Sequence, residues 1–98
     1  MVAPPRSVCR VVSISDGDTF RARCPDEIRV RLLLIDAPER NQRPFGRAAA
    51  MQLEQLLPRG SRVSLELDVR AVDQYGRTLA YVFSDDGRMI NEEMVRSG

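Results

Sequence analysis

The first third of the chain alternates apolar and polar residues in three segments. Residues 7–15 and 20–24 flank the dipeptide Asp16-Gly17, which is typical of the tight turn of a β-hairpin. Residues 28–36 alternate at first and then become continuously apolar, which is typical of a strand that enters a closed core. Pro38 ends this strand, because proline has no N–H to donate to a sheet. The pattern predicts a hairpin followed by a third strand.

The rest of the chain begins with helical periodicity and then returns to alternation. The helix is predicted to end at Pro58 and Gly60, and its apolar positions are Ala49, Ala50, Leu53, Leu56 and Leu57. Residues 62–73 alternate, and one face of this strand is predicted to carry Val63, Leu65, Leu67 and Val69. After a turn, residues 77–84 form a fifth strand. A short second helix begins near Asn91 and must dock on the barrel or fray, because a helix of about eight residues is not stable alone.

This order of elements predicts a fold that is mainly β with α. Five strands, with one helix between the third and fourth and a short C-terminal helix after the fifth, are typical of a small Greek-key barrel of the OB type. The 98 residues are enough for one compact core, so we expect residues 1–98 to form a single domain. No apolar run is long enough for a membrane span.

The charged residues limit the chemistry that the chain can perform. Fifteen basic and fourteen acidic residues give a net charge of +1, so any nucleic-acid site must be local. All fifteen basic residues are arginine, and histidine is absent. Catalysis would therefore depend on carboxylates, arginines, tyrosine or a metal ion.

The two cysteines leave two alternatives open. If the hairpin is centred between Asp16 and Gly17, Cys9 and Cys24 lie opposite each other on antiparallel strands, and a disulfide is geometrically possible. The composition nevertheless favours two reduced cysteines that behave as small apolar residues.

Polar residues concentrate at the predicted strand ends, in four clusters: 16–19, Arg31, 36–39 and 75–77. Taken singly, each cluster is explained as a turn or a solvated surface. Their combination is harder to explain in this way.

Four motifs carry a resemblance to a known family. "DGDT", "RLLLIDAPE", "DQYGRTLAYVF" and "NEEMVRSG", in this order and spacing, resemble the staphylococcal nuclease (thermonuclease) family, from about Val8 to the last residue. The resemblance implies an OB-fold barrel with calcium-dependent phosphodiesterase activity on DNA and RNA. The chain stops before the family's last helix, so a C-terminally shortened domain is expected.

The resemblance implies a Ca²⁺ site made of oxygen ligands. Asp18 and Asp36 match the calcium-ligating aspartates, and the backbone carbonyl of Ala37 matches a further ligand. Asp16, with Thr19, is assigned to the outer coordination shell.

The resemblance also implies the catalytic residues. Glu39 matches the general base that positions or deprotonates a water molecule. Arg31 and Arg77 match the arginines that hold the phosphate, and Tyr75 matches a residue at the nucleotide end. Because Arg31 and Asp36 would point to opposite faces of a regular strand, we predict an irregularity around residues 34–36.

Three functions are compatible with these residues. The first is a calcium-dependent nuclease, and the alternative is a catalytically inactive nuclease-like OB module that binds nucleic acid or protein. An OB-type domain with an unrelated partner is the least favoured, because arginines and acids at strand ends stabilise a fold little. Retention of all the acids and arginines favours the nuclease. We further expect a monomer without membrane contact, and the resemblance favours a secreted or periplasmic location.

Overall fold

The computed structural model describes residues 6–33 and 45–97, except the side chains of residues 6, 45, 46, 68–71 and 97. Within these residues, five strands and two helices follow one another: β1 Arg6–Asp16, β2 Thr19–Arg23, β3 Glu27–Leu32, α1 Phe45–Leu56, β4 Arg62–Val72, β5 Thr78–Ser84 and α2 Ile90–Ser97. The number, type and order of these elements agree with those predicted from the sequence.

The strands close into a barrel in the order β1-β2-β3-β5-β4. All neighbouring strands are antiparallel except β3 and β5, which are parallel. Closure pairs the edges that five short strands would otherwise expose. The predicted five-stranded OB-type barrel is confirmed.

The turn of the β1–β2 hairpin differs from the prediction, whereas the strand pairing far from the turn agrees with it. Asp16 pairs with Thr19, so the turn is centred one residue later than predicted. Two register shifts in β1, one before Ser13 and one before Asp16, each change the pairing by one residue. These two shifts are β-bulges, and because of them Arg10 pairs with Arg23. The next pair away from the turn in this register is Cys9 and Cys24.

Cys9 and Cys24 form a disulfide, with 4.4 Å between their Cα atoms. The expectation of two reduced cysteines is therefore wrong. That expectation rested on the general behaviour of small apolar residues, whereas the register brings the two side chains together across the hairpin.

The barrel interior is filled from both halves of the chain. Phe20 and Val30 from the first three strands and Leu53 from α1 are fully buried, as is Leu65 of β4. Leu67 is 38% exposed and does not share the buried face of β4 as predicted, because the pairing of β4 with β5 becomes irregular beyond this residue.

Strand β3 ends at Leu32, and Leu33 lies in a turn, so the strand is shorter than the predicted segment 28–36. The predicted irregularity around residues 34–36 lies outside the described residues.

Helix α2 docks on the barrel, which is one of the two outcomes that its short length allows. Ile90 and Met94 belong to the core. The side chain of Asn91, 3% exposed, accepts a hydrogen bond from the N–H of Val82 (2.8 Å) and donates to the carbonyls of Leu33 (3.0 Å) and Ala80 (3.1 Å). This one side chain ties α2 to β5 and to the end of β3. Within the described residues, neither helix is long and apolar enough to cross a membrane.

Candidate active site

The turn of the β1–β2 hairpin presents two carboxylates. Asp16 is the last residue of β1, and Gly17 and Asp18 connect it to Thr19. The N–H of Asp18 donates to Oδ1 of Asp16 at 3.3 Å. Burial, then the hydrogen bond and the negative charge of Asp18, raise the pKa of Asp16 to about 6. Two acids this close favour either a shared proton or a cation beside them.

Asp18 is buried, and both its carboxylate and its backbone carbonyl have partners. Its Oδ1 accepts a hydrogen bond from the hydroxyl of Thr19 at 2.8 Å, and its backbone carbonyl accepts the N–H of Leu32 at 2.8 Å. Its Oδ2 lies 3.5 Å from Nε of Arg31. The turn is thus anchored to β3, and the position of the Asp18 carboxylate is set by its neighbours.

Arg31 reaches this carboxylate because of the strand register. It lies directly opposite Thr19 in the β2–β3 pairing. Its Nε is buried and makes no hydrogen bond within the described part of the chain. Oδ2 of Asp18, 3.5 Å away, balances its charge without forming a hydrogen bond, so this N–H can still donate to an acceptor oxygen of a ligand.

Arg77 reaches the same place from the β4–β5 turn, on the far side of β3 from β2. Its Nη1 donates to the hydroxyl oxygen of Thr19 at 3.3 Å. Thr19 therefore joins Asp18 and Arg77 through one hydroxyl group, and Arg31 lies next to it. Two guanidinium groups and one carboxylate from three separate parts of the chain meet here.

Asp73 holds the turn that carries Arg77. One of its oxygens accepts the backbone N–H groups of Tyr75 and Arg77, both at 2.9 Å. The other accepts Nε of Arg77 at 2.8 Å and lies 2.8 Å from Nη2. Burial opposes ionisation of Asp73, but these hydrogen bonds and the charge of Arg77 outweigh it and lower the pKa of the carboxyl. Gly76, with φ of 77°, completes the turn in a conformation that favours glycine.

Tyr75 lies on the surface of this turn, 63% exposed, with its ring centre 5.3 Å from Cζ of Arg77. Its backbone carbonyl accepts a hydrogen bond from Nη2 of Arg29 on β3. Arg29 thus fastens the turn to the barrel.

The structure brings together six of the nine residues predicted for the site, and the other three lie outside the described residues. The six are Asp16, Asp18, Thr19, Arg31, Tyr75 and Arg77, and the three are Asp36, Ala37 and Glu39. Within residues 6–33 and 45–97, no group of three histidine, cysteine, aspartate or glutamate side chains could hold a metal ion. The acids Asp16 and Asp18 supply hard oxygen donors, which fit Ca²⁺, but they are only part of a ligand set.

Asp73 and Arg29 hold the turn that carries Arg77, and neither was predicted from the sequence. Asp73 had a usable signal, since an aspartate at the start of "DQYG" is typical of a side chain that accepts N–H groups of its own turn. Arg29 had none, because its partner is a backbone carbonyl far away in sequence.

Comparison with known proteins identifies relatives over most of the chain. A family model described as Staphylococcal nuclease homologue matches residues 29–98. An uncharacterized endonuclease of Escherichia coli O157:H7 is 39% identical over 90 residues, which are 91% of this chain and 56% of the relative.

Two further relatives show the same partial coverage. An uncharacterized endonuclease of Haemophilus influenzae is 40% identical over 95 residues, with 95% of this chain and 51% of the relative covered. The thermonuclease of Staphylococcus intermedius is 37% identical over 94 residues, with 90% of this chain and 55% of the relative covered. The chain spans about half the length of these relatives.

Proposed function

Because this chain belongs to the staphylococcal nuclease family, we propose that it is a nuclease that hydrolyses phosphodiester bonds of DNA and RNA with Ca²⁺ as its cofactor. The observation that carries the proposal is the hydrogen-bonded group of Asp18, Thr19 and Arg77 with Arg31 beside it. These residues converge from three parts of the barrel, and none of them belongs to its apolar core.

The two arginines would bind the phosphate. A guanidinium group offers paired N–H donors that match phosphate oxygens, and negative charge grows on these oxygens during phosphoryl transfer. Arg31 is suited to this role by its buried Nε without a hydrogen bond in the described residues. Arg77 is held by Asp73 at 2.8 Å and so is oriented before substrate binds.

Ca²⁺ would be held by Asp18, by Asp36 and by the backbone carbonyl of Ala37, with Asp16 and Thr19 beside them. Burial, together with the close approach of Asp18, raises the pKa of Asp16 to about 6, and a pair of acids this close supports a cation at this turn. When bound, Ca²⁺ would polarise the phosphoryl group and lower the pKa of a coordinated water.

Glu39 would act as the general base, an assignment that rests on the resemblance alone. It would accept a proton from a water molecule whose oxygen forms a bond to phosphorus. The bond from phosphorus to the 5′-oxygen breaks, and this oxygen takes a proton, which leaves a 5′-hydroxyl and a 3′-phosphate. Tyr75 would contact the nucleotide at the edge of the site. We propose that the protein acts as a monomer and, from the resemblance, outside the cytoplasm.

Digestion of single-stranded DNA with calcium or with a chelator tests this proposal. We expect cleavage with calcium, none with the chelator, and losses of about a hundredfold or more in Arg31→Ala and Glu39→Gln. The matched control is Arg96→Gln, because among the described residues Arg96 forms only an exposed ion pair, with Glu92 on α2. A different result would favour the inactive binding module: protein that is folded and supplied with calcium would bind DNA without cutting it.

A further inference from the structure

Away from the candidate active site, the register aligns three arginines across adjacent strands. Arg10 of β1 pairs with Arg23 of β2 on one side and with Arg62 of β4 on the other. All three side chains are exposed on the outer face of the barrel. Like charges directly opposite each other in a sheet are destabilising, so this row has a cost to the fold.

Acidic neighbours offset only the two ends of the row. Arg62 forms an ion pair with Asp85 at 3.0 Å, and Arg23 has a longer contact of 3.7 Å with Glu27. Arg10 has no carboxylate within ion-pair distance among the described residues; its Nη1 donates to the carbonyl of Gly60 at 3.1 Å. The central charge of the row is therefore not neutralised by the part of the protein that the structure describes.

A fourth arginine lies beside Arg10. Nε of Arg59, in the segment between α1 and β4, donates to the carbonyl of Val12 at 3.1 Å. Both Arg10 and Arg59 are thus anchored by neutral backbone carbonyls, which fix their orientation and leave their charge and their other N–H groups available. Cations held in this way lose little conformational entropy when an anion binds.

These arginines line one open groove. Its walls are residues 10–13, Arg23, Arg59 and Gly60, and this described lining contains no carboxylate. Acids lie in the neighbouring surface: Glu27 and Asp85 pair with the two ends of the row, and Glu54 lies in an adjoining cleft whose wall includes Arg59. Arg10 also lines a further cleft that contains Asp85 and Asp86, without an ion pair to either among the described residues. Guanidinium groups without acids between them match the spaced negative charges of a phosphodiester backbone.

The groove is separate from the candidate active site. Arg10 precedes Asp16 by six residues on the same strand, which is a distance of at most about 20 Å at about 3.3 Å per residue, because two bulges lie between them. This distance corresponds to about six base pairs of a duplex. A nucleic acid longer than this can occupy the active site and the groove together, whereas a very short one cannot.

We propose that the groove lined by Arg10, Arg23 and Arg59 is a second nucleic-acid contact, which binds the phosphate backbone of a long strand without reading its sequence. The identity of the occupant as nucleic acid rests on the proposed nuclease function, together with the charge complementarity described above. Such a contact raises the affinity for long substrates through an effective concentration, without adding to the chemistry.

The test measures binding in a chelator, so that it does not depend on cleavage. Fluorescence anisotropy would follow labelled single-stranded DNA of about 20 nucleotides and of about 3 nucleotides at several salt concentrations. For the double variant R10Q/R59Q, we expect weaker binding of the long DNA whatever its sequence. The salt slope, which is the slope of the logarithm of the binding constant against the logarithm of the salt concentration, should be smaller in magnitude by about 1.4, or about 0.7 for each lost phosphate contact. The 3-nucleotide DNA should show no such change in slope.

Two further variants keep the result interpretable. Arg23→Gln removes only an exposed 3.7 Å ion pair, so it leaves the backbone hydrogen bonds of the groove intact, and we expect its slope to fall by about 0.7. Arg96→Gln is the control for loss of one positive charge elsewhere on the surface. Circular dichroism would verify that each variant is folded.

The inference is overturned if the R10Q/R59Q and Arg23→Gln proteins bind long DNA with the affinity and slope of the parent, or if Arg96→Gln causes an equal loss. It is also overturned if polyglutamate competes for the groove better than DNA of equal charge. A failure of the nuclease proposal would appear instead in the digestion assay, with or without these binding changes.

Discussion

At the scale of the residue, Asp73 sets the direction of Arg77. A single carboxylate accepts the N–H groups of the turn with one oxygen and the guanidinium with the other. Arg77 then needs little reorganisation to donate to Thr19. Asp73 thereby decides where the guanidinium of Arg77, the proposed phosphate-binding group, points.

We predict that Asp73→Asn lowers nuclease activity more than it lowers stability. Asparagine keeps an oxygen for the turn N–H groups but loses the ion pair with Arg77. We expect cleavage to fall by about tenfold, equivalent to about 1.4 kcal/mol in the activation barrier. Cleavage assays well below the unfolding temperature would measure this effect. Asp85→Asn, which breaks an exposed ion pair in another turn, is the control and should change little. Equal activity in the two variants would contradict the prediction.

The same carboxylate makes stability depend on pH. Its pKa in the folded state is below the ordinary aspartate value, so the unfolded state binds the proton more tightly. The stabilisation by Asp73 is therefore complete above the ordinary pKa and is lost as the pH falls through the folded pKa. Urea unfolding of the parent should show this loss in acid. In Asp73→Asn the acid-dependent loss should be smaller, and identical pH profiles would rule out this contribution.

At the scale of the element, helix α2 depends on Asn91. Removal of its side chain would leave the buried N–H of Val82 and the carbonyls of Leu33 and Ala80 without these hydrogen bonds. A helix of eight residues has little stability of its own to compensate.

We predict that Asn91→Ala lowers the free energy of unfolding by about 2–4 kcal/mol, because buried polar groups would lose their partners. Urea unfolding would measure the change. The control is Glu92→Ala on the exposed side of the same helix, which should stay within about 0.5 kcal/mol. A loss in Asn91→Ala no larger than in this control would show that α2 is held by its apolar residues alone.

The β1–β2 hairpin depends in a similar way on its disulfide. The bond closes a loop with a sequence separation of 15 residues. In the chain-entropy model, a crosslink over about 15 residues stabilises the fold by about 3 kcal/mol.

We predict that Cys9→Ala/Cys24→Ala lowers the unfolding free energy by about 2–4 kcal/mol while DNA cleavage persists in the folded fraction. Urea unfolding and the digestion assay would measure both effects. Parent protein in a reductant is the matched comparison, and it should lose a similar amount. A reduced parent as stable as the oxidised one would contradict the prediction.

At the scale of the whole molecule, barrel closure assembles the site. The parallel pairing of β3 with β5 and the antiparallel pairing of β2 with β3 bring the β1–β2 turn, Arg31 and the β4–β5 turn to one place. The site and the fold are therefore coupled, and a ligand bound there should stabilise the whole barrel.

We predict that Ca²⁺ raises the unfolding free energy by about 1.4 kcal/mol when its concentration is ten times the dissociation constant, because it binds the folded state. Thermal unfolding with calcium and with a chelator would measure this shift. Asp18→Asn should abolish it, and Asp85→Asn should retain it. Equal stabilisation of the Asp18→Asn protein would show that the ion binds elsewhere.

Most of the fold and the composition of the candidate site could be predicted from the sequence. Alternation and helical spacing identified every described element, because each pattern reflects which face an element buries. The motifs identified Asp18, Arg31 and Arg77. The exposed Leu67 escaped prediction, because the change in strand pairing beyond it leaves no mark in the alternation.

The sequence by itself determined the elements, the barrel type and the residue types available for chemistry, since these follow from periodicity and composition. Only the tertiary structure decided that Cys9 meets Cys24, that Arg77 reaches Thr19, and that three arginines align across the strands. The physical reason is register: two bulges and a closed barrel set which distant residues are neighbours. A shift of a single residue in that pairing would have separated each of these groups.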